Sequence, residues 1–264
     1  MDETRNKPDM DIVQSVDRAL QVLETIARLG SASLNDLRQE IGLNKASLLR
    51  LAHTLVSNGY LNKDGQTGIY SLTLKTYEVG ISVIQRGNQI NLVNTVLGDL
   101  SKDCGLIAQF SVEDNNELLC LQSIGQTNPV FSVYTNAGKR SNLYSTSAGK
   151  AILSTYTNEE VIKKWETFEV RALTQNTRTD VQSLLRELAE IRRSSYALDI
   201  EENEYNLFCI GSVVVNHTQS VVGAISVSSG VPFGESEEQI SKLVINASRR
   251  LSGLLGYAAA TSQK

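Results

Sequence analysis

The chain has 264 residues, of which 41% are hydrophobic and 20% charged, with a formal net charge of −4. That is enough for one large domain or two ordinary ones with ample buried cores, and the balance is that of a soluble globular protein rather than a strongly basic nucleic-acid binder. No apolar run approaches the roughly eighteen residues of a membrane span, and the polar start MDETRNKPDMD has neither the basic nor the apolar part of a secretion signal, so spanning and exported classes are set aside.

Residues 1–11 are expected to form a mobile tail. Beyond them Val16, Ala19, Leu20, Leu23, Ile26 and Ala27 recur at helical spacing as far as Gly30, which predicts an amphipathic helix. Ser33 caps a second helix, LNDLRQE, with Leu34, Leu37 and Ile41 toward a core and Gly42 at the turn. Asn44 caps a third, in which Leu48, Leu51, Ala52 and Leu55 form the buried stripe. The opposite face carries Ala46, Arg50, His53 and Ser57, with Ser47, Leu49 and Thr54 at its margins. Small and polar groups around one arginine suit close approach to a DNA major groove. Asn58-Gly59 ends the helix, and two short strands follow around the turn NKDGQTG.

Helix, helix, turn, helix and hairpin make a winged helix-turn-helix over residues 12–75. This segment has seven Lys/Arg against five Asp/Glu, so the placement of charge matters more than bulk attraction. Units of this shape also serve as protein-interaction modules, and that alternative stays open.

Residues 76–89 are expected to form a linker helix, overlapping LTLKTYEVGISVIQR at 72–86, and INLVNTVLGDLSKDCG predicts another. A connector with exposed apolar positions either forms a dimer seam or packs on its own chain. Residues 90–258 are expected to form the second domain. Strands are predicted at LIAQFSVED, NELLCLQSIG and PVFSVYT, then a helix from near Ser145, helices over 157–166 and 179–194, and strands at FCIGSVVVN and SVVGAISVSS. In a closing helix Ile240, Leu243, Val244, Ala247, Leu251 and Leu254 share a face. Strands and helices are segregated, which predicts an α+β fold built on an antiparallel sheet. Cys104, Cys120 and Cys209 form no CxxC pair, the usage of a reducing cytoplasm without disulfides.

Four segments in order, GLNKASLLRLAHTLVSNGYL, YSLTLKTYEVG, LYSTSAGKAIL and DIEENEYNLFCIGSVV, resemble the IclR family of bacterial transcription regulators, over roughly residues 12–257. The resemblance implies a winged helix-turn-helix, a linker helix, a GAF-like effector domain that binds small carboxylates, and assembly as a dimer or a dimer of dimers. YSLTLKTYEVG with LYSTSAGKAIL is most similar to the branch sensing sugar acids and 2-keto-3-deoxy acids. This implies repression of a carbohydrate or sugar-acid catabolic operon, with activation as the alternative.

Carried over by motif, the DNA contacts fall on Lys45, Ala46, Ser47, Arg50 and Thr54, and Ala46 stands where the family often has Ser. Arg38 and Lys63 read either as phosphate contacts or as ordinary solvated charges. The implied effector pocket lies between the start of the LYSTSAGK helix and the sheet. Its helix-start amides are those of Ser147 and Ala148, beside Gly149, a placement suited to an anion. Asp199, Cys209, Ser226 and Ser228 match polar positions suited to hydroxyl and keto groups, and Val130, Val133 and Leu207 match apolar walls that as pattern are simply core. Cys209 reads equally as a small buried hydrophobe. At strand spacing Asp199 and Glu201 share a face, while Glu202 and Glu204 read as a solvated acidic loop. Asn142, Asn206 and Val213 stand where the family has Pro, Gly and Pro, which implies a differently shaped pocket mouth.

His53 lies in the third helix and His217 in a polar turn, so the one nucleophile pair to weigh, Cys209 with His217, joins a strand interior to its loop. Metal spacing, a GxSxG, a P-loop and a dinucleotide fingerprint are all missing. No enzyme, cofactor or metal is expected. The expected partners are a double-stranded DNA operator, a small carboxylate and a second copy of the chain, with no membrane.

Overall fold

The computed structural model describes residues 12–84, 89–125 and 137–257, and it separates into two units, 1–87 and 88–264. In the first unit α1 (Gln14–Leu29), α2 (Leu34–Ile41) and α3 (Lys45–Ser57) are followed by a hairpin of β1 (Leu61–Lys63) and β2 (Tyr70–Leu72), then by α4 (Leu74–Ile84).

The helix boundaries follow local chemistry. Ser33 and Asp36 form a reciprocal capping box, with the Asp36 carboxylate accepting the Ser33 amide at 2.8 Å, so two amide donors left free at a helix start are satisfied together. Gly42 ends α2 in the left-handed region at φ 74°, and Asn44 Oδ1 accepts the Ser47 amide at 2.9 Å to open α3. In the hairpin turn the Asp64 carboxylate accepts the Thr67 amide at 2.7 Å and the Gln66 amide at 3.0 Å. Val22, Ile26, Leu37, Leu48, Ala52 and Tyr70 form the core. On α1 the buried stripe is Val22, Thr25 and Ile26, while Val16 and Leu20 are more than half exposed. The helix is apolar on two sides, so spacing alone did not reveal which side the other helices cover.

The second unit runs α5 (Gln89–Cys104), β3 (Ile107–Asp114), β4 (Glu117–Ile124), β5 (Arg140–Asn142), α6 (Ser147–Leu153), α7 (Asn158–Trp165), α8 (Val181–Ser194), β6 (Ala197–Ile200), β7 (Phe208–Val215), β8 (Val221–Ser229) and α9 (Glu237–Leu254). Its antiparallel sheet has the order β5-β4-β3-β8-β7-β6. Asn115 and Asn116 make the β3–β4 turn with φ of 53° and 65°, the left-handed pair that a two-residue hairpin demands. The predicted strand at PVFSVYT lies outside the described residues.

Alternation of side chains across the strands gives the sheet two unlike faces. Phe110, Ile210, Val214, Ile225 and Val227 pack against Val93, Leu97, Val244 and Leu251 of α5 and α9. On the other face Ala197 and Ala224 meet a layer formed by Ala148, Ile152, Leu184 and Leu188 of α6 and α8. The short strands β5 and β6 were not predicted. Among the described residues no helix is long and apolar enough to cross a membrane.

Candidate DNA-binding face and effector cavity

On α3, burial of Leu48, Ala52 and Leu55 turns Lys45, Ala46, Arg50, His53, Thr54 and Ser57 to the exterior, with Ser47 half-buried at the margin. The Thr54 hydroxyl donates back to the Arg50 carbonyl at 2.9 Å, leaving its lone pairs to face outward. Arg38 on α2 and Lys63 on β1 are exposed, and the Lys63 ammonium lies 5.7 Å from the centre of the Tyr70 ring. Arg28 is neutralised by Glu40 at 2.5 Å, whereas no ion pair among the described residues involves Arg38, Lys45, Arg50 or Lys63. These four unpaired cations lie on α3 and on the neighbouring α2 and β1.

In the second unit the inner sheet face and the start of α6 enclose a cavity of about 70 Å³. Ser147, Ala148, Asp199, Leu207, Cys209, Ser226 and Ser228 all line it. Gly149 is buried just behind the wall, and Val130 and Val133 lie outside the described residues. The sheet register brings these distant segments together, pairing Asp199 with Cys209, Cys209 with Ser228, and Ser226 with Gly211.

Gly211 lets α6 approach the sheet, and Gly149 lets the turn before α6 fold back against the helix. A Cβ on Gly211 would stand 2.8 Å from the Ala148 nitrogen, and one on Gly149 would stand 2.4 Å from the Leu143 carbonyl oxygen. Thr146 caps α6, its Oγ1 accepting the Gly149 amide at 3.2 Å while donating to the Asn142 carbonyl at 2.8 Å. Asn142 thus serves through its backbone at a place where Pro would serve as well. Asn206 takes φ 57°, the left-handed conformation that Asn tolerates in place of Gly.

Asp199 is 1% exposed. Its Oδ1 accepts the Glu202 amide at 2.8 Å, and its Oδ2 has no partner among the described residues. Burial pushes its carboxyl up to about 7, against the opposing effects of the Glu202 amide and the Lys150 charge. Cys209 lies 3.3 Å from the Ser228 hydroxyl, and burial pushes its thiol well above the ordinary value, which suppresses thiolate chemistry. His217 is eight residues further on, beyond the far end of β7 and so roughly 20 Å away along the strand, which dissolves the nucleophile pair.

The acidic run departs from the strand-spacing reading. Glu201 leaves β6 with φ 54°, so it does not share the face of Asp199, and its carboxylate instead accepts the Asn206 amide at 2.8 Å. Glu202 is not solvated: it is buried and pairs with Lys150, which is fully buried and also binds Glu187 at 2.8 Å. Arg178 completes the cluster at 3.0 Å from each glutamate.

Sequence reasoning missed Gln109, Ser111 and Cys120, which line the same cavity from β3 and β4. The available signal was the alternation of Gln109 and Ser111 within an otherwise apolar strand, IAQFSV.

The sequence profile described as the bacterial transcriptional regulator IclR C-terminal domain matches residues 81–253, and that of the IclR helix-turn-helix domain matches residues 15–65. The chain belongs to the IclR family of bacterial transcription regulators. It is 28% identical over 250 residues to the HTH-type transcriptional regulator KdgR of Escherichia coli, covering 94% of each chain. To the transcriptional repressor IclR of the same organism it is 28% identical over 222 residues, covering 83% of this chain and 81% of that one. The crystal structure of Thermotoga maritima IclR superposes with a TM-score of 0.77 at 25% identity, over 93% of this chain and 100% of that one. The IclR-family assignment makes the protein a DNA-binding regulator rather than an enzyme.

Proposed function

We propose that this IclR-family protein is a cytoplasmic repressor of a carbohydrate or sugar-acid catabolic operon, released from DNA when a small carboxylate enters the cavity beneath α6. The similarity to the E. coli repressor IclR supports the sign of regulation, and that to KdgR supports the sugar-acid branch. The observation that carries the effector reading is the pair of unpartnered buried polar atoms, Asp199 Oδ2 and Gln109 Nε2, in one cavity. Such groups are costly unless something satisfies them.

In this reading two copies of the chain set their α3 helices in major grooves about 34 Å apart. Ser47 and Arg50 read base edges, Lys45, Ala46 and Thr54 flank them, and Arg38 and Lys63 hold phosphates. The exposed apolar Val16, Leu20, Leu74 and Tyr77 support pairing with a second copy. In the cavity Asp199, Cys209, Ser226 and Ser228 receive hydroxyl and keto groups, Ser147 and Ala148 with Gly149 behind them form the α6 wall, and Leu207 closes an apolar side. The effector acts by binding more tightly to the arrangement that does not fit the operator.

Titrating sugar acids onto the protein–operator complex tests this. Release of the wild type but not of Asp199→Ala is the expected result, and equal release from both overturns the assignment of the cavity.

A further inference from the structure

The inner sheet face beneath α6 is polar at two separated places. Gln109 is on β3 and Asp199 on β6, with β8 and β7 between them, so their backbones are three strand spacings or roughly 14 Å apart. Both side chains are more than nine-tenths buried and both line the cavity. The Gln109 amide oxygen is approached by the Ser228 hydroxyl at 3.5 Å, while its nitrogen meets no partner among the described residues. Asp199 is in the complementary state, with one oxygen held by backbone amides and the other unpartnered.

A buried amide nitrogen can only donate, and an ionised carboxylate oxygen can only accept. Between them lie the small hydroxyls and thiol of Ser226, Ser228 and Cys209, which fill little space and tolerate polar neighbours. Nothing about folding requires a glutamine here, because leucine has similar bulk and would leave no amide to satisfy. The cost is explained if a ligand oxygen meets the amide.

We infer that Gln109 is a specificity-determining residue of the effector cavity, selecting with Asp199 for a several-carbon hydroxylated carboxylic acid, one oxygen of which accepts from Gln109 while a hydroxyl donates to Asp199. The inference rests on the effector reading above and adds to it a residue and a selection rule. A monofunctional acid of the same length can offer a carboxylate oxygen to Gln109 but has no hydroxyl to donate to Asp199, so the Asp199 end stays unsatisfied and the acid is rejected.

The test uses the full-length chain with D-gluconate and 2-keto-3-deoxygluconate as probes and hexanoate, which has the same carbon number without hydroxyls, as comparator. Binding is measured by calorimetry and thermal unfolding for the wild type, Gln109→Leu and, as a second variant of similar volume, Gln109→Met. At least one hydroxylated acid should bind the wild type and hexanoate should not. Both variants should lose roughly tenfold in affinity for that acid. Without ligand they should melt about 2–4 °C higher, because an unsatisfied amide has been removed. Unchanged affinity, or a lower melting temperature without ligand, overturns the role of Gln109 while leaving the effector cavity standing. Equal binding of hexanoate overturns the selection rule. Failure of every acid to bind the wild type overturns the effector reading and the inference with it.

Discussion

Gly211 on β7 lies so close beneath Ala148 on α6 that a Cβ there would stand 2.8 Å from the Ala148 nitrogen. The three nearest atoms to that Cβ are all backbone atoms, one of Ala148 and two of Ser147, so no side chain can swing aside. Gly211→Ala must therefore push α6 off the sheet or displace β7. We predict a loss of about 1–3 kcal/mol in urea unfolding, the range for overpacking. Gly149→Ala should cost at least as much, since its Cβ meets the Leu143 backbone at 2.4 Å.

Lys150 sits behind the cavity as a fully buried cation between Glu187 and Glu202. Removing it strands two partly or wholly buried carboxylates that Arg178 alone must balance. Lys150→Met is expected to destabilise the second unit by about 3–5 kcal/mol. Adding Glu202→Gln should recover part of that loss, and a fully additive double variant would show that the two groups do not interact.

Asp199 gives a pH signature. Its carboxyl is raised from the ordinary 3.8 to about 7, chiefly by burial, so the folded chain holds this proton more tightly than the unfolded chain. Its contribution to stability is greatest below about pH 4, falls as pH rises through the window to about 7, and is level above it. The slope in that window is at most about 1.4 kcal/mol per pH unit for one proton. Asp36, Asp64 and Asp180 have lowered values and act in the opposite sense at lower pH. The informative quantity is thus the difference between wild type and Asp199→Asn, which should fall with rising pH across the window and then stay constant.

Ser33 tests the first unit separately. Because its hydroxyl and the Asp36 carboxylate cap α2 reciprocally, Ser33→Ala should lower stability by about 1 kcal/mol. Urea unfolding of the full chain, followed by a reporter placed in the first unit, measures it.

Elements whose signals are local were legible in the sequence. Ser33, Gly42, Asn44 and Asn58 mark helix ends through their own backbone and side-chain chemistry, and the outer face of α3 follows from the phase of Leu48, Ala52 and Leu55. The cavity was legible in part, because Asp199, Cys209, Ser226 and Ser228 belong to motifs whose strands pair. Gln109 was missed because only the β3–β8 pairing brings it beside Ser226. Glu202 was misread because a burying partner, Lys150, lies fifty-two positions away in the chain, and no local pattern distinguishes a solvated glutamate from one paired that way. The buried side of α1 was ambiguous for the same reason, since tertiary packing decides between two apolar stripes.

Recognition of a DNA sequence is proposed for the α3 face of this IclR-family chain. Gel shift of genomic fragments with the full-length protein, at two salt concentrations, tests it most directly. A sequence-specific complex should form that weakens with salt, and Arg50→Ala should reduce its affinity by roughly ten- to a hundredfold while leaving weak nonspecific binding nearly unchanged. No specific complex with any fragment, or a specific complex that Arg50→Ala does not weaken, would contradict the account.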